Sequence, residues 1–490
     1  MDPAPLLQRN VSLQRVAGRR EPWDIAIIGG GSTGMGIALD AVTRGYSVVL
    51  LEQHDFGKGT SSRSTKLVHG GVRYLRQGNI SLVMEALKER GLLLRNAPHL
   101  VHDMEFIVPN YAWWEAPFYG IGMKVYDMLA GKYGFGPSKI LSREEVLALI
   151  PTLSQDGLRG GVSYHDGQFD DARLLIDIAS TAAQHGACLL NYTRVVSLVK
   201  DSEGFVSGLT FCDQESGAPH TLAARCVINA TGPFCDEMRR ADNPESKPMI
   251  APSQGVHLTL PREFLPGETA IMVPRTRDKR VLFAIPWHGH AVVGTTDTPI
   301  PESTLEPAAH DDEIDFILET AGDYLSRCPT RADVLSVFTG IRPLVKSSDV
   351  SNTAALSRDH TIEISSSGLL TIAGGKWTTY RRMAEDAVDH AIVLGKLDER
   401  PCITRDLPIR DPGGHDDSAG WFARYEMART VEDVLARRTR LLFLDARTAL
   451  AKAPQVAREL AEELGRDGAW QLSQLAAFQE TAKHFMPPTL

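Results

Sequence analysis

The sequence predicts an α/β protein with a dinucleotide-binding parallel sheet, an antiparallel sheet inserted into it, and a small C-terminal helical domain. Residues 24–52 show the order strand, glycine turn, helix and strand, which is the unit of parallel sheets. The region 250–300 alternates strand signals with Pro and Gly, which favours antiparallel strands. From Trp421 onward the chain is rich in Ala, Leu, Arg and Glu, which favours helices.

The composition limits the classes of protein to which this chain can belong. The 490 residues are 43% hydrophobic and 23% charged, which is typical of globular chains with more than one domain. A net charge of −9 argues against a protein whose main partner is nucleic acid. The six cysteines include no C-x-x-C pair, so we predict neither a metal site nor a disulfide framework. No apolar run reaches about 18 residues, so no transmembrane helix is expected.

The predicted domains are an N-terminal extension over 1–22, a main α/β domain over 23–400 and a helical domain over 401–490. The inserted sheet occupies roughly 90–165 and 245–345. The first residues are polar and lack an apolar core, so they are not a secretory signal. We expect a frayed end there. A transit peptide is the alternative, because the segment is poor in acids.

Individual elements follow from hydrophobic periodicity and from glycine and proline positions. Helices are predicted at 32–44, 81–96, 142–150, 170–186 and 310–327. Strands are predicted at 24–30, 47–52, 188–199, 205–212 and 225–230, and a strand, turn and helix at 369–391. Asp170 and Asp171 are predicted to cap the helix that they begin.

The glycine turn after the first strand has the pattern G-x-G-x-x-G. Gly29 permits a tight turn, Gly31 a close approach to a pyrophosphate, and Gly34 close packing of the helix on the sheet. Glu52 ends the second strand, where a carboxylate binds a ribose hydroxyl. This arrangement predicts FAD or NAD rather than NADP. Ser32 and Thr33 lie in the same turn.

Residues 60–74 form a second glycine- and hydroxyl-rich cluster. Small residues let the backbone lie against a flat ring and a diphosphate. Lys66, Arg73 and Arg63 add positive charge. A basic surface loop is the alternative interpretation.

The segment TSSRSTKLVHGGVRYL in this cluster resembles the signature of FAD-dependent glycerol-3-phosphate dehydrogenases. Further matching segments are INATGPF (228–234), AIPWHGHAVVGTTDT (284–298), FTGIRPLV (338–345), LSRDH (356–360) and AGGKWTTYRRMAEDA (373–387). The resemblance covers about 23–398, and residues 430–446 extend it into the C-terminal domain.

The resemblance implies an FAD-binding Rossmann-like fold of the glutathione-reductase or D-amino-acid-oxidase type. It implies oxidation of sn-glycerol 3-phosphate to dihydroxyacetone phosphate, with hydride passing from C2 to flavin N5 and electrons passing on to a membrane quinone. By the same resemblance the substrate pocket contains Arg73, Tyr74, His257, Arg342, Arg358 and Lys376. Several fixed cations also suit a buried phosphate dianion.

Catalytic roles are predicted for three of these residues. A neutral His257 would take the proton of the C2 hydroxyl, and Arg342 and Lys376 would stabilise the developing alkoxide. A core histidine is the alternative for His257. His69 is expected near the isoalloxazine, with a covalent link to flavin as the alternative. Asp297 is predicted either to contact the cofactor or to lie in a turn, and the sequence does not decide between these two interpretations.

The predicted cofactor contacts share small size, a hydroxyl group or a place in a glycine turn. They are Gly29, Gly31, Ser32, Thr33, Gly34, Glu52, Thr60, Ser61, Ser62, Ser64, Lys66, Leu67, His69, Gly70, Val195, Ala230, Thr231, Gly232, Gly375, Lys376 and Thr378.

Rival functions are an oxidase of the same fold that uses O2 and a non-catalytic flavin-binding relative. An aromatic group, Trp113, Trp114, Phe118 and Tyr119, beside Lys124 and Lys132, suits a membrane interface, with core packing as the alternative. We expect a cytoplasmic protein, peripheral on the inner face of the cytoplasmic membrane, and leave a homodimer open.

Three features depart from the family. The C-terminal domain is short, Thr33 replaces the usual Asn, and no D-x-D-x-D-G calcium loop is present. The last of these favours a bacterial-type enzyme.

Overall fold

The computed structural model describes residues 7–72, 79–274, 276–277, 280–346, 359–411 and 416–487. Its strands are β1 (Trp23–Ile28), β2 (Val48–Leu51), β3 (Leu67–Val68), β4 (Val101–Asn110), β5 (Lys139–Ser142), β6 (Gly160–Phe169), β7 (Cys188–Leu190), β8 (Thr193–Lys200), β9 (Val206–Asp213), β10 (Pro219–Asn229), β11 (Ile250–Pro261), β12 (Ala270–Val273), β13 (Leu282–Trp287), β14 (His290–Gly294), β15 (Thr298–Pro299), β16 (Ser336–Val345), β17 (His360–Ile364) and β18 (Leu370–Gly374).

Helices cover both sheets and form the C-terminal unit. They are α1 (Arg9–Gly18), α2 (Ser32–Thr43), α3 (Ile80–Asn96), α4 (Glu115–Ala130), α5 (Arg143–Leu149), α6 (Asp171–Gln184), α7 (Cys235–Asp242), α8 (Asp311–Tyr324), α9 (Tyr380–Leu394), α10 (Ala419–Glu426), α11 (Leu441–Leu444), α12 (Ala446–Leu464) and α13 (Gly468–Lys483), with a π-helical turn at Asp433–Arg438. No helix in these described ranges is long and apolar enough to cross a membrane.

The first sheet has the order β17-β18-β10-β1-β2-β7. Strands β18, β10, β1, β2 and β7 run parallel. Strands β8 and β9 continue it from β10 as antiparallel neighbours. Ile25 and Ile27 of β1 are fully buried, as expected for a parallel strand covered on both faces. The predicted α/β class is confirmed.

The second sheet has the order β15-β11-β14-β13-β12-β4-β6-β3, with β16 beside β11 and β5 beside β6. Most of its pairs are antiparallel, and β12 runs parallel to β4. The strand order shows that the strands of this sheet come from separate segments of the chain. The antiparallel sheet predicted over 250–300 is part of this larger sheet. In the β11–β16 pair, Ser253 lies opposite Arg342 and His257 opposite Phe338. Because side chains alternate along a strand, His257 and Arg342 share one face.

The C-terminal unit packs against the edge of this second sheet. The Val337 amide donates to the Phe485 carbonyl, and the Ala446 amide donates to the Leu335 carbonyl. The rings of Phe338 and Phe485 both pack edge to face on Phe443. The helical unit therefore shares its core with β16, which carries Arg342.

Two local expectations are wrong. Residues 9–18 form helix α1 rather than a frayed end, because Val16 packs in the core and buried Arg9 pairs with Asp213. The strand predicted over 188–199 is divided into β7 and β8. Tyr192, whose φ is 53°, turns the chain between them.

Candidate active site

A first cavity of about 330 Å³ lies at the carboxyl ends of β1, β2, β10 and β18. Ligands of open parallel sheets bind at this edge. Glycine, alanine, serine and threonine make up nearly half of the residues that line the cavity. The predicted cofactor residues in it are Gly29, Gly31, Ser32, Thr33, Glu52, Thr60, Ser61, Val195, Ala230, Thr231, Gly232, Gly375 and Lys376.

Two glycines of the first turn are required by its geometry. Gly29 has a φ of +110°, and a Cβ there would lie 2.6 Å from the Ala230 carbonyl oxygen. A Cβ on Gly34 would lie 1.9 Å from the carbonyl oxygen of Gly29. Helix α2 therefore begins closer to the strand than any side chain at position 34 allows.

Glu52 directly follows β2 and faces the first cavity. Its Oε2 accepts from the Gly30 amide at 2.7 Å, and its Oε1 accepts from the His54 amide at 2.8 Å. Burial raises the pKa of Glu52. The carboxylate is therefore fixed to the glycine turn while its oxygens keep further acceptor capacity.

A second cavity of about 190 Å³ adjoins the first and is bounded by the second sheet. The two share Thr60, Pro343, Gly374, Gly375, Lys376 and Trp377 in their walls. The predicted residues in the second wall are Thr60, Ser64, Leu67, His69, His257, Arg342, Gly375, Lys376 and Thr378. The pair thus forms one bent cleft.

Arg342 is held rigidly at the second cavity. Its Nη1 donates to the Gln254 carbonyl at 3.1 Å and lies 3.3 Å from Asp297 Oδ1. Its Nη2 donates to the Thr296 carbonyl at 2.9 Å. A Cβ on Gly255 would lie 2.3 Å from that Nη2, so the guanidinium lies flat on the strand. Asp297, which is buried and also bonded to Ser253, therefore contacts Arg342 instead of lining either cavity.

His257 lies beside Arg342 and is 3% exposed. Its ring stacks on Phe338 with centroids 4.8 Å apart, and its Nε2 lies 2.9 Å from Thr65 Oγ1. Among the described residues, Nδ1 has no hydrogen-bond partner. Burial, together with the positive charges of Arg342 and Lys66, lowers the pKa of His257 well below its ordinary value. The imidazole is therefore neutral at pH 7.

The turn Trp377–Thr379 joins the two cavities to α9. Lys376 precedes this turn and lines both cavities. The Trp377 indole donates to the Ser61 carbonyl at 2.8 Å, and the His69 amide donates to Thr378 Oγ1 at 3.2 Å. These bonds fix the turn to the 60–70 segment, on which His69 faces the second cavity.

Other predicted contacts lie behind the cavity walls. The Lys66 ammonium is fully buried and donates to both carboxylate oxygens of Asp171 at 2.8 Å, so it is not a cation facing the cavity. Asp171 accordingly pairs with Lys66, whereas Asp170 is the cap of α6, as predicted. Ser62, Gly34 and Gly70 are also buried outside both linings.

Gly70 has a packing role, because a Cβ there would lie 2.5 Å from the Tyr126 hydroxyl oxygen. That hydroxyl in turn accepts from the Gly70 amide at 2.8 Å. Three predicted substrate residues, Arg73, Tyr74 and Arg358, lie outside the described residues.

Thr65 was not predicted from the sequence, Asp297 was left between a cofactor contact and a turn, and Arg63 was predicted only as a source of positive charge. Arg63 lines the second cavity, and its guanidinium pairs with Glu306 at 2.6 Å. The position of Thr65 inside the 60–74 cluster was a usable signal. The contact between Asp297 and Arg342 joins residues of two separate segments of the chain, so no short sequence pattern could have predicted it.

The cleft fits an extended dinucleotide. A Cβ on Gly31 would lie 3.0 Å from Ser61 Oγ, so a side chain there would crowd the wall where a pyrophosphate would lie. Glu52 lines the first cavity alone, and His257 and Arg342 line the second alone.

Comparisons with known proteins agree with this geometry. The family described as FAD dependent oxidoreductase matches residues 24–381, and the C-terminal domain of alpha-glycerophosphate oxidase matches 416–471. A mitochondrial glycerol-3-phosphate dehydrogenase of Arabidopsis thaliana is 45% identical over 412 residues, covering 81% of this chain and 65% of the relative. A probable one of Caenorhabditis elegans is 40% identical over 525 residues, covering 93% and 72%.

The chain belongs to the FAD-dependent glycerol-3-phosphate dehydrogenase family. The glycerol-3-phosphate dehydrogenase of Bacillus halodurans complexed with FAD superposes with a TM-score of 0.80 at 28% identity, covering 99% of each chain. FAD is therefore the cofactor, as predicted. The chain spans less than two thirds of the length of the Arabidopsis relative and of the 43% identical mitochondrial enzyme of Rattus norvegicus, at 65% and 61%.

Proposed function

We propose that this protein oxidises sn-glycerol 3-phosphate to dihydroxyacetone phosphate. The observation that carries the proposal is the pairing of a fixed guanidinium, Arg342, with a neutral histidine, His257, on one face of the β11–β16 pair. FAD, when bound, supplies the acceptor for the hydride that leaves C2 of the substrate. An alcohol oxidation also needs a group that takes the hydroxyl proton and cations that hold the phosphate.

The residues divide these tasks between them. Lys376 and Arg342 bind the phosphate ester and stabilise negative charge on the C2 oxygen. The His257 ring takes the hydroxyl proton at Nδ1, the nitrogen without a partner among the described residues, while Nε2 bonds to Thr65. A dianion in the cavity raises the proton affinity of this histidine and offsets the effect of its cationic neighbours. Glu52 and the glycine turn bind the adenosine ribose and the pyrophosphate.

The test is an anaerobic absorbance titration of the flavin-loaded protein. We expect sn-glycerol 3-phosphate to bleach the flavin band, and glycerol and an α-hydroxy acid to leave it unchanged. Bleaching by a control compound would assign a different oxidoreductase. Retained flavin without bleaching would indicate a non-catalytic relative. Reoxidation of the reduced flavin by air as fast as turnover, with stoichiometric hydrogen peroxide, would favour the oxidase reaction over transfer to a quinone.

Electron transfer to a membrane quinone needs contact with a membrane, and α4 offers a surface for it. Trp113 is 79% exposed, Phe118 53%, Ile121 67% and Met128 73%, and exposed Lys124 and Lys132 lie on the same segment. Of the predicted aromatic group, Tyr119 is half-buried, so the remaining three form the exposed part. We therefore propose peripheral attachment through α4, on the inner face of the cytoplasmic membrane.

Flotation with phosphatidylcholine–phosphatidylglycerol vesicles tests the attachment. We expect a Trp113→Ser and Phe118→Ser double variant to lose at least half of the bound fraction. Val393→Ser, which removes an apolar side chain that is 77% exposed on α9, is the control and should bind as wild type does. Equal binding of all three proteins would contradict the proposed surface.

A further inference from the structure

The loop that follows β2, residues 52–58, is held from two sides. On one side the Gly57 amide donates to the Gly30 carbonyl of the glycine turn at 3.1 Å. On the other side lies the C-terminal helical unit. Glu52 and Lys58 of this loop line the first cavity, whereas none of the described residues 416–487 lines either cavity.

Asp55 is the centre of the contact with the C-terminal unit. Its Oδ2 accepts from Arg437 Nε at 2.6 Å and from Arg438 Nη1 at 2.9 Å, and its Oδ1 accepts from Arg438 Nη2 at 3.0 Å. All three side chains are at most 2% exposed. Burial alone would raise the pKa of Asp55, but the guanidiniums of Arg438 and Arg437 outweigh burial and lower it. The contact is a fully charged, desolvated triad.

The two arginines that reach this carboxylate are consecutive in the chain. Neighbouring residues of an α-helix point in different directions. Arg437 and Arg438 end the π-helical turn Asp433–Arg438, and turns of this type occur often at functional positions.

A second contact holds the far end of the loop. Glu432 accepts from Lys58 Nζ at 2.6 Å and from Arg437 Nη1 at 2.8 Å. Tyr192, which donates to Asp433 at 2.8 Å, has a backbone amide that donates to the His54 carbonyl at 3.0 Å. The C-terminal unit therefore fixes the loop at Asp55 and Lys58 directly and at His54 through Tyr192.

We infer that Arg437, Arg438 and Glu432 are positioning residues for the cofactor: the C-terminal unit holds the 52–58 loop so that Glu52 is placed to bind the adenosine ribose. Flavin affinity then depends on side chains that do not touch the flavin. The inference rests on the ribose role proposed for Glu52. Because Glu52 bonds to the His54 amide, a displaced loop carries the carboxylate with it.

The test measures FAD affinity by titrating apoprotein with FAD and following flavin fluorescence, with no substrate present. We expect Arg438→Gln to weaken FAD binding at least tenfold and Glu432→Gln at least threefold. Arg447→Gln is the matched control, since Arg447 joins the C-terminal unit to the Val334 carbonyl beside the second sheet, away from the loop. It should bind FAD within twofold of wild type. Equal affinity in all variants, or equal weakening in the control, would overturn the inference.

A variant of the triad could fail to fold, because it leaves a buried charge unpaired. Glu432→Gln avoids this, because Arg437 keeps its pairs with Asp55 and Asp433 and Lys58 keeps its pair with Glu306. Circular dichroism of the apoprotein checks its fold. A double-mutant cycle with Glu52→Gln then separates positioning from general stability. We expect the Glu432→Gln effect to shrink below twofold in the Glu52→Gln background. The same effect in both backgrounds, or no effect of Glu52→Gln alone, would overturn the inference.

Discussion

The two adjoining cavities depend on different features of the residues around them. The first lies against the glycine turn at the ends of parallel strands, where the Gly30 amide holds Glu52. The wall of the second carries long charged or aromatic side chains, among them Arg63, His257 and Arg342, from strands of the other sheet and from the 60–70 segment. The first cavity depends on glycine positions that have no room for a side chain. The second depends on side chains that several hydrogen bonds hold in place.

This difference separates two kinds of sensitivity. An atom added at a glycine of the turn disrupts the first cavity, because the strand and the helix cannot move apart without losing close packing. Removal of an atom or a charge disrupts the second cavity, because the buried partners of that side chain lose their hydrogen bonds. Substitutions should therefore disturb cofactor binding in the first cavity and turnover in the second.

The largest expected effect comes from adding one methyl group to the glycine turn behind the first cavity. In Gly34→Ala the new Cβ would meet the Gly29 carbonyl oxygen at 1.9 Å. We expect a cost of about 3 kcal/mol, equivalent to more than about 100-fold weaker FAD binding. Gly122→Ala, also in a helix but with nothing within 4 Å of the added Cβ, is the control. Full flavin retention by Gly34→Ala, measured as the flavin-to-protein absorbance ratio, would contradict the comparison.

Shortening one cation should affect the second cavity alone. Arg342→Lys removes the planar set of donors that holds the side chain against Asp297 and the Thr296 carbonyl. We expect kcat/KM for sn-glycerol 3-phosphate to fall about 100-fold, or ~2.7 kcal/mol, with FAD affinity unchanged. Arg331→Lys, at a surface arginine paired with Asp311 and Asp315, is the control. If Arg342→Lys also loses flavin, the two cavities are not separable in this way.

The same distinction explains what the sequence could predict. The Gly29 and Gly34 positions follow from a short contiguous pattern, because the turn, the strand and the helix are neighbours in the chain. Glu52 follows from its spacing to that turn. His257 and Arg342 were identified through the resemblance to a family, since nothing local distinguishes them from an ordinary strand histidine or arginine.

Ion pairs between residues far apart in the chain could not be predicted from any short sequence pattern. Lys66 and its partner Asp171 are separated by 105 positions, and Asp55 and Arg438 by 383. Lys66 therefore looked like a cation for the cofactor, and Asp171 like a second helix cap. Helix α1 was missed for a similar reason, because its polar sequence is held by the long-range pair of Arg9 and Asp213.

Neutral histidines in and beside the cavities should make stability depend on pH. Burial, with Arg342 and Lys66, lowers the pKa of His257 well below 6.5, so below pH 6.5 the unfolded chain binds a proton there that the folded chain does not. Stability therefore falls as pH falls from 6.5. We expect His257 alone to contribute a loss of up to about 1.7 kcal/mol between pH 6.5 and about pH 5.

Urea unfolding of the apoprotein across this range measures the loss. The decline should be smaller in His257→Asn by that amount. His54, whose pKa burial lowers to about 4, contributes in the same direction to both proteins and cancels in the difference. Parallel pH profiles for wild type and variant would show that His257 is not the group responsible.

The smallest expected effect tests whether Thr65 orients the histidine. Thr65→Val keeps the shape of the side chain but removes the hydroxyl that lies 2.9 Å from His257 Nε2. Loss of one such bond costs about 1 kcal/mol, so kcat should fall about fivefold while KM and FAD affinity stay constant. Thr65→Ser restores the hydroxyl and should recover most of the rate. If Ser is as slow as Val, the methyl group of Thr65 matters through packing, and the imidazole is oriented by its stack on Phe338 rather than by the hydrogen bond.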